Sequence, residues 1–213
     1  MLRTANRLVV PAAGRITLDG VDTATLDPTV LRRSIGYAIQ AVGLFPHLTV
    51  GRNIAVVPEL LEWPRDRIAA RVDELLEMVD LDPERYRDRF PRDLSGGEAQ
   101  RVGVARAIAA RPRALLMDEP FGAVDAIVRA SLQDEILKIA RSLATTVLFV
   151  THDVDEALRL ADRLVVMRAG RIVRDDTPVA ILADPQDDYV RDLFGDEELR
   201  AFRLQRARRA PPA

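Results

Sequence analysis

Two short runs carry the residues best placed to do chemistry. In Leu94-Ser95-Gly96-Gly97-Glu98-Ala99-Gln100-Arg101, a glycine-rich turn feeds a helix. Ser95 can cap that helix, and Gly96 and Gly97 leave its first backbone N–H groups uncovered. A helix end of this kind carries partial positive charge and open donors, so it suits an anion, above all a phosphate. The second run is Ala114-Leu115-Leu116-Met117-Asp118-Glu119-Pro120, an apolar stretch tipped by two carboxylates. It reads as a buried strand presenting acids at its C-terminal end, where α/β sheets place their chemistry. An anion cradle followed by an acid-tipped strand predicts Mg²⁺-assisted hydrolysis of a nucleotide.

The elements needed to position these groups can be read along the chain. Leu2, Ala5, Leu8 and Val9 have helical spacing, which predicts a helix to Val10 stopped by Pro11 and Gly14. Arg15–Leu18 reads as a strand with a turn at Asp19-Gly20, and Asp27-Pro28 starts a short helix through Arg33. Ile35–Ile39 reads as a strand with Gln40 at its C-terminal end. After the apolar loop Ala41–Leu48, Thr49 caps a helix through Val57, and Pro58 and Pro64 punctuate. Arg65–Val79 is an amphipathic helix with Ile68, Val72, Leu75, Leu76 and Val79 on one face. The helix opened by Ser95 runs through Ala110, and a further helix spans about Ala126 to Leu143. Thr145–Thr151 is a buried strand ending at His152, followed by a helix over Val154–Leu160. Arg163–Met167 and Arg171–Val173 are strands joined at Ala169-Gly170, and Pro178–Leu182 is a short helix. The expected organisation is an α/β core over 1–48 and 93–195, a helical subdomain over 49–92, and an Arg-rich tail over 196–213 that frays into disorder. Strands alternating with helices imply a mostly parallel sheet with right-handed crossovers.

Composition narrows the choice. The 213 residues are 48% hydrophobic and 30% charged with a net charge of −2, a globular balance with no basic field to recruit nucleic acid. Cysteine is absent, which removes disulfides and thiolate chemistry, and two histidines argue against a histidine metal cluster. No apolar run is long enough to span a membrane. The expected location is therefore cytoplasmic, or docked on a membrane through a partner.

In order, Gln40, Leu94-Ser95-Gly96-Gly97-Glu98, Asp118-Glu119, Asp125 and His152 resemble the motif set of the ATP-binding-cassette (ABC) ATPases, over nearly the whole chain. The resemblance implies a P-loop NTPase-like fold with an inserted helical subdomain. It also implies roles for single residues. Asp118 would hold Mg²⁺, with Gln40 completing the metal or water shell. Glu119 would polarise the attacking water as general base, and His152 would contact the γ-phosphate. Leu94, Ser95, Gly96, Gly97 and Glu98 would serve ATP held by the other subunit of a head-to-tail dimer, with Asp125 crossing that interface.

More finely, Ile35–Gln40, Gly43–Val50, Pro58–Trp63, Asp93–Gly97, Asp155-Glu156-Ala157 and Phe194-Gly195 are similar to importers of glycine betaine, choline, carnitine and proline betaine. Such a protein would act at the cytoplasmic face of the cell membrane. Its partners would be a transmembrane permease, a second ATPase subunit and, indirectly, a solute-binding protein. Leu44-Phe45 would form the socket for a permease helix. The alternatives are a cassette serving another small solute, or a catalytically dead partner that donates only its signature helix.

One departure matters. Such ATPases need Gly-x-x-x-x-Gly-Lys-[Ser/Thr] before their first helix. The only lysine here is Lys138, preceded by Leu137 inside a helix. The polypeptide as written is therefore expected not to hydrolyse ATP by itself. A start placed too late, or a truncated gene, accounts for this better than an evolved variant. Regulatory CBS domains, frequent after such ATPases, do not follow, so gating through them is not expected.

Overall fold

A computed structural model of the chain describes residues 1–39, 43–122, 129–130, 133–134, 136–138 and 145–195. It divides into two units, Met1–Val150 and Thr151–Ala213, taken in turn below.

In the first unit, α1 (Leu2–Ala5) is a single turn, not the helix to Val10 that the spacing predicts. Arg7 is left-handed (φ 53°), and its guanidinium donates to the carbonyls of Thr23 (3.1 Å) and Leu26 (2.6 Å). A short helix gains little from one more turn, so these distant bonds win. β1 (Thr17–Leu18) and β2 (Val21–Asp22) form an antiparallel hairpin. Its turn has positive φ at both Asp19 (51°) and Gly20 (78°), the geometry that Asp-Gly favours. Asp27 caps α2 (Pro28–Arg33) by accepting from the Thr29 and Val30 N–H groups, as its position before Pro28 predicts.

β3 (Ile35–Ala38) leads past the helices α3 (Val50–Leu60), α4 (Arg65–Met78) and α5 (Pro83–Tyr86) to α6 (Gly96–Ile108) and β4 (Ala114–Asp118). Residues 49–92 contain helices and turns and no strand. Thr49 caps α3, as expected, but Pro58 rides inside its last turn instead of ending it. α4 buries Val72, Leu75 and Leu76, three of the positions its periodicity assigns to the core. β5 (Thr146–Val150) completes a parallel sheet of order β3-β4-β5. Tyr37 stands opposite Leu116, and Leu116 opposite Leu148. β4 lies between two neighbours, so Ala114–Met117 are all buried and burial relaxes only at Asp118. α6 lies directly on β3: a Cβ added at Gly36 would run into the Ala107 carbonyl oxygen. Leu2, Leu31, Ile35 and Leu116 form one buried cluster, with Tyr37, Leu148 and Val150 packed against it.

In the second unit, α7 (Val154–Leu160) precedes an antiparallel pair, β6 (Leu164–Arg168) and β7 (Arg171–Asp176), and then α8 (Pro178–Ala183). The β6–β7 turn again has two left-handed residues, Ala169 (φ 47°) and Gly170 (φ 76°). Val166, Ile181, Leu182, Val190 and Phe194 form this unit's core. The expected tail over 196–213 and most of the expected helix from Ala126 to Leu143 lie outside the described residues. Among the described residues, no helix is long and apolar enough to cross a membrane.

Candidate functional site

The cap of α6 is built from three hydrogen bonds. Ser95 Oγ accepts from the Glu98 N–H (3.3 Å), and Glu98 Oε2 accepts from the Ser95 N–H (2.7 Å), a reciprocal capping box. The Tyr86 hydroxyl, from the end of α5, donates to Glu98 Oε1 at 2.5 Å. These bonds, the phenol's first, hold the Glu98 carboxyl down at about 2. The same contact pushes the Tyr86 phenol above its ordinary value. Because Ser95 Oγ only accepts within the cap, its own proton remains available to a ligand. The first intrahelical bond donated after the cap comes from Ala99 N–H to the Ser95 carbonyl (2.9 Å), so the N–H groups of Gly96 and Gly97 precede the ladder. Ser95 and Gly96 are exposed, and Leu94 and Gly97 are half-buried. The result is an open, positively polarised helix end of 13 residues, suited to an anion.

The acidic turn sits at the carboxyl edge of the parallel sheet. Asp118 ends β4, opposite Val150. The next residue, Glu119, is left-handed (φ 45°). Its N–H still donates to the Val150 carbonyl (2.9 Å), and its own carbonyl accepts from the Gly122 N–H (3.2 Å). The chain therefore leaves the sheet abruptly while keeping one more rung of the ladder. Phe121 anchors the turn: it is fully buried and lies 5.7 Å from the Phe149 ring. Burial, and secondarily the charge of Asp118, raises the Tyr37 phenol above its ordinary value. The buried Gln100 on α6 donates through Nε2 to the Pro120 carbonyl, so cap helix and acidic turn are joined by one side chain.

His152 belongs to the second unit and is exposed. The backbone around it is fixed. Thr151 Oγ1 donates to the buried Glu156 (2.8 Å) and accepts from the Asp153 N–H (2.9 Å), while Asp153 caps α7 at the Glu156 N–H (3.1 Å). Gln40 and Asp125 lie outside the described residues.

A third feature borders the helical segment. Asn53, fully buried on α3, accepts from the Phe45 N–H (2.7 Å). It also donates to the carbonyls of Phe45 (3.1 Å), Leu48 (3.1 Å) and Thr49 (3.0 Å). Arg106 of α6 donates to the Gly43 carbonyl (2.7 Å) and approaches the Phe45 ring (5.7 Å). Beside this pinned loop, Arg52, Ala55, Glu59, Trp63, Ile68 and Val72 line a groove of about 580 Å³ between α3 and α4.

Sequence reasoning located Ser95, Glu98, Asp118 and Glu119 but passed over Tyr86, Gln100, Asn53 and Arg106. Asn53 had a readable signal, a polar residue among the apolar positions Val50, Ile54 and Ala55 of one helix. The other three point at partners that no local pattern reveals.

A divalent metal is compatible with the donors present. Among the described residues no cluster of three or more acidic, His or Cys side chains forms a closed metal cage. Asp118 and Glu119 instead offer hard carboxylates at a strand end, as suits Mg²⁺, which uses one or two carboxylates plus phosphate oxygens.

An open helix end is thus tethered to the acid-tipped central strand of a parallel sheet. The chain belongs to the ABC transporter family, whose model matches residues 1–122. It is 52% identical over 198 residues to the glycine betaine/carnitine/choline transport ATP-binding protein OpuCA of Bacillus subtilis, covering 93% of this chain and 52% of that one. It is 50% identical to the glycine betaine uptake system ATP-binding protein YehX of Escherichia coli, covering 93% of this chain and 64% of that one. Among solved structures it is similar to the dimeric, post-hydrolysis ATP-binding cassette MJ0796 bound to ADP and Pi. There the TM-score is 0.74 with 31% identity, over 83% of this chain and 78% of that one. The chain spans about half the length of the Bacillus relative.

Proposed function

We propose that this chain is the ATP-binding subunit that energises an ABC importer of quaternary-amine osmoprotectants such as glycine betaine and choline. The observation that carries the reading is the joined pair of α6 cap and acidic turn. Gln100 of α6 donates to the Pro120 carbonyl, which links the helix opened by Ser95 to the turn bearing the two strand-end carboxylates. The 52% identity to a glycine betaine/carnitine/choline transport ATP-binding protein supports the solute class.

In this reading Asp118 holds Mg²⁺, with Gln40 in its shell. When bound, the metal supplies charge neutralisation on the phosphate oxygens. Glu119, one residue past the strand end and left-handed, accepts the proton of the attacking water. His152 stabilises the charge that develops on the transferred phosphoryl group. The Ser95 hydroxyl and the Gly96 and Gly97 N–H groups serve the nucleotide of a second cassette subunit, with Asp125 at that interface. The dimeric state of the MJ0796 cassette supports this arrangement.

The groove beside the Asn53-pinned loop receives a helix of a transmembrane permease, which holds the subunit at the cytoplasmic face of the membrane. Its mixed lining suits an amphipathic helix: Trp63, Ile68 and Val72 for the apolar side, Arg52 and Glu59 for the polar rim. A solute-binding protein acts on the far side of the permease. The 213-residue polypeptide has no Gly-x-x-x-x-Gly-Lys-[Ser/Thr] run, so by itself it turns over no ATP.

The test is uptake by membrane vesicles containing the permease of a glycine betaine importer, an intact cassette subunit and this chain. The expected result is ATP-dependent uptake of labelled glycine betaine, competed by choline and not by sulfate. Uptake of another solute class, with betaine ignored, overturns the solute assignment. Phosphate release by the purified chain alone overturns the claim of dependence on a partner.

A further inference from the structure

The capping box closes with Ser95 and Glu98 alone, yet the structure adds a third bond from outside the helix. Tyr86 is almost fully buried and spends its hydroxyl on Glu98 Oε1 at 2.5 Å. Both oxygens of Glu98 are thus engaged within the protein, one by Tyr86 and one by the Ser95 N–H. This changes the reading of Glu98: it fixes the cap and does not reach outward from it.

Tyr86 is itself tied to the groove. In the segment that follows it, the Arg87 carbonyl accepts from the Gly51 N–H (2.8 Å), and the Arg89 carbonyl accepts from the Val50 N–H (2.8 Å). These are the first two residues of α3. At Gly51 the approach is so close that an added Cβ would lie 2.8 Å from Arg87 Cγ. The Arg89 guanidinium sits over the Tyr86 ring at 4.6 Å, which confines the ring. A continuous hydrogen-bonded path therefore runs from the start of α3 through the 86–89 segment to the Glu98 carboxylate and the Ser95 N–H.

We propose that Tyr86 is a positioning residue for the anion-binding cap. Its hydroxyl orients Glu98, and through Glu98 sets the Ser95 hydroxyl and the Gly96 and Gly97 N–H groups toward a phosphate on a partner cassette. The inference rests on the reading that α6 serves the nucleotide of another subunit. It adds that the orientation of the cap follows the helical segment lining the groove. Removing the phenol oxygen leaves the capping box formed but freely rocking. Ground-state binding is then largely kept, and the rate is lost through misorientation in the transition state.

The experiment mixes the full chain with an intact family member that carries a phosphate loop and an arginine in place of its own signature serine. Turnover then depends on this chain's cap. With Tyr86→Phe, kcat is expected to fall about tenfold at nearly unchanged KM for ATP. Glu98→Ala is expected to fall at least as far, and the double variant no further than Glu98→Ala alone. Arg85→Ala, whose guanidinium lies 5.5 Å from the Tyr86 ring centroid, leaves the rate intact. The contact is read separately by ultraviolet titration of the tyrosines. Glu98→Ala should move the Tyr86 phenol to lower pH, since its acceptor holds that ionisation up.

Wild-type kcat in Tyr86→Phe overturns the inference, as does a tyrosine titration that Glu98→Ala leaves unmoved. Failure of the unaltered chain to support any turnover overturns the partner-donation reading and takes this inference with it. That result is distinct from the other two because it appears before any substitution is made.

Discussion

Gln100 links the helix that the cap opens to the acidic turn after β4, yet cap and turn are stabilised differently. In the cap, strong local hydrogen bonds are made: Ser95 and Glu98 satisfy each other three residues apart, and Tyr86 closes the remaining acceptor. In the turn, a non-glycine residue is held left-handed at φ 45°, with one bond from Gly122 three residues on and one to Val150 on the neighbouring strand β5. A left-handed L-residue costs on the order of 1–2 kcal/mol, so the turn persists only because β5 and α6 over-determine it. The cap is thus a relaxed, fully bonded helix start, whereas the turn carrying the proposed general base is left-handed and held by its neighbours.

Removing the frame that both regions share should have the largest effect. Gly36→Ala sets a Cβ against the Ala107 carbonyl, where backbone meets backbone and no side chain can yield. Urea denaturation should show a loss of about 3 kcal/mol. A loss under 1 kcal/mol would mean that α6 is free to lift from the sheet. Next comes the tether itself. Gln100→Ala leaves the Pro120 carbonyl without its donor in a buried setting and should cost about 2 kcal/mol. If cap and turn are coupled as the geometry indicates, hydrogen exchange should rise at Gly122, whose N–H bonds to Glu119, and stay unchanged at Glu98.

The contrast also explains what could be read from the sequence. Caps are local, so Asp27, Thr49 and Ser95 stand where residue type and the following helix predict, each accepting from an N–H two or three residues on. Asp-Gly and Ala-Gly turns are local too, and both appear with paired positive φ values. The apolar run before Asp118 is legible because a central parallel strand is buried on both faces. What sequence pattern misses is action at a distance. Arg7 stops α1 by reaching carbonyls 16 and 19 residues away. Gln100 finds Pro120 20 residues on, and Arg71 finds the carbonyls of Ile108 and Ala109 at the end of α6, 37 and 38 residues on. The acids Asp118 and Glu119 were legible as residues, but the left-handed turn that aims Glu119 was not, since nothing in Glu-Pro-Phe-Gly encodes φ without β5 and α6 in place.

The cap has a signature in acid. Glu98 is held at about 2 in the folded chain against an ordinary 4.5. A depressed folded value means that the unfolded chain binds the proton more readily. The stabilisation is therefore fully present above about pH 4.5 and is lost as pH falls through about 2. After allowance for screening at this half-buried site, the loss should be about 1.5 kcal/mol. Glu98→Gln should flatten that limb of the stability–pH curve, and Tyr86→Phe should shorten it. An unchanged limb in Glu98→Gln would place the acid sensitivity elsewhere.

The smallest effect tests the strain in the turn and has the opposite sign. Asn tolerates the left-handed region better than Glu, because its short side chain can hydrogen-bond the local backbone. Glu119→Asn keeps the N–H that bonds to Val150 and the carbonyl that accepts from Gly122, so both pins survive. Thermal and urea unfolding should then show a gain of about 0.5 kcal/mol, part of the left-handed cost being relieved. In a cassette whose own phosphate loop completes the site beside Glu119, the same change should abolish turnover there, because an amide cannot accept the proton of the attacking water. A residue whose replacement stabilises the fold while removing the chemistry is held in place for function, as strained turns at active sites are. A loss of stability in Glu119→Asn would instead show that the Glu119 carboxylate itself holds the turn together, and the contrast between a relaxed cap and a strained turn would fail.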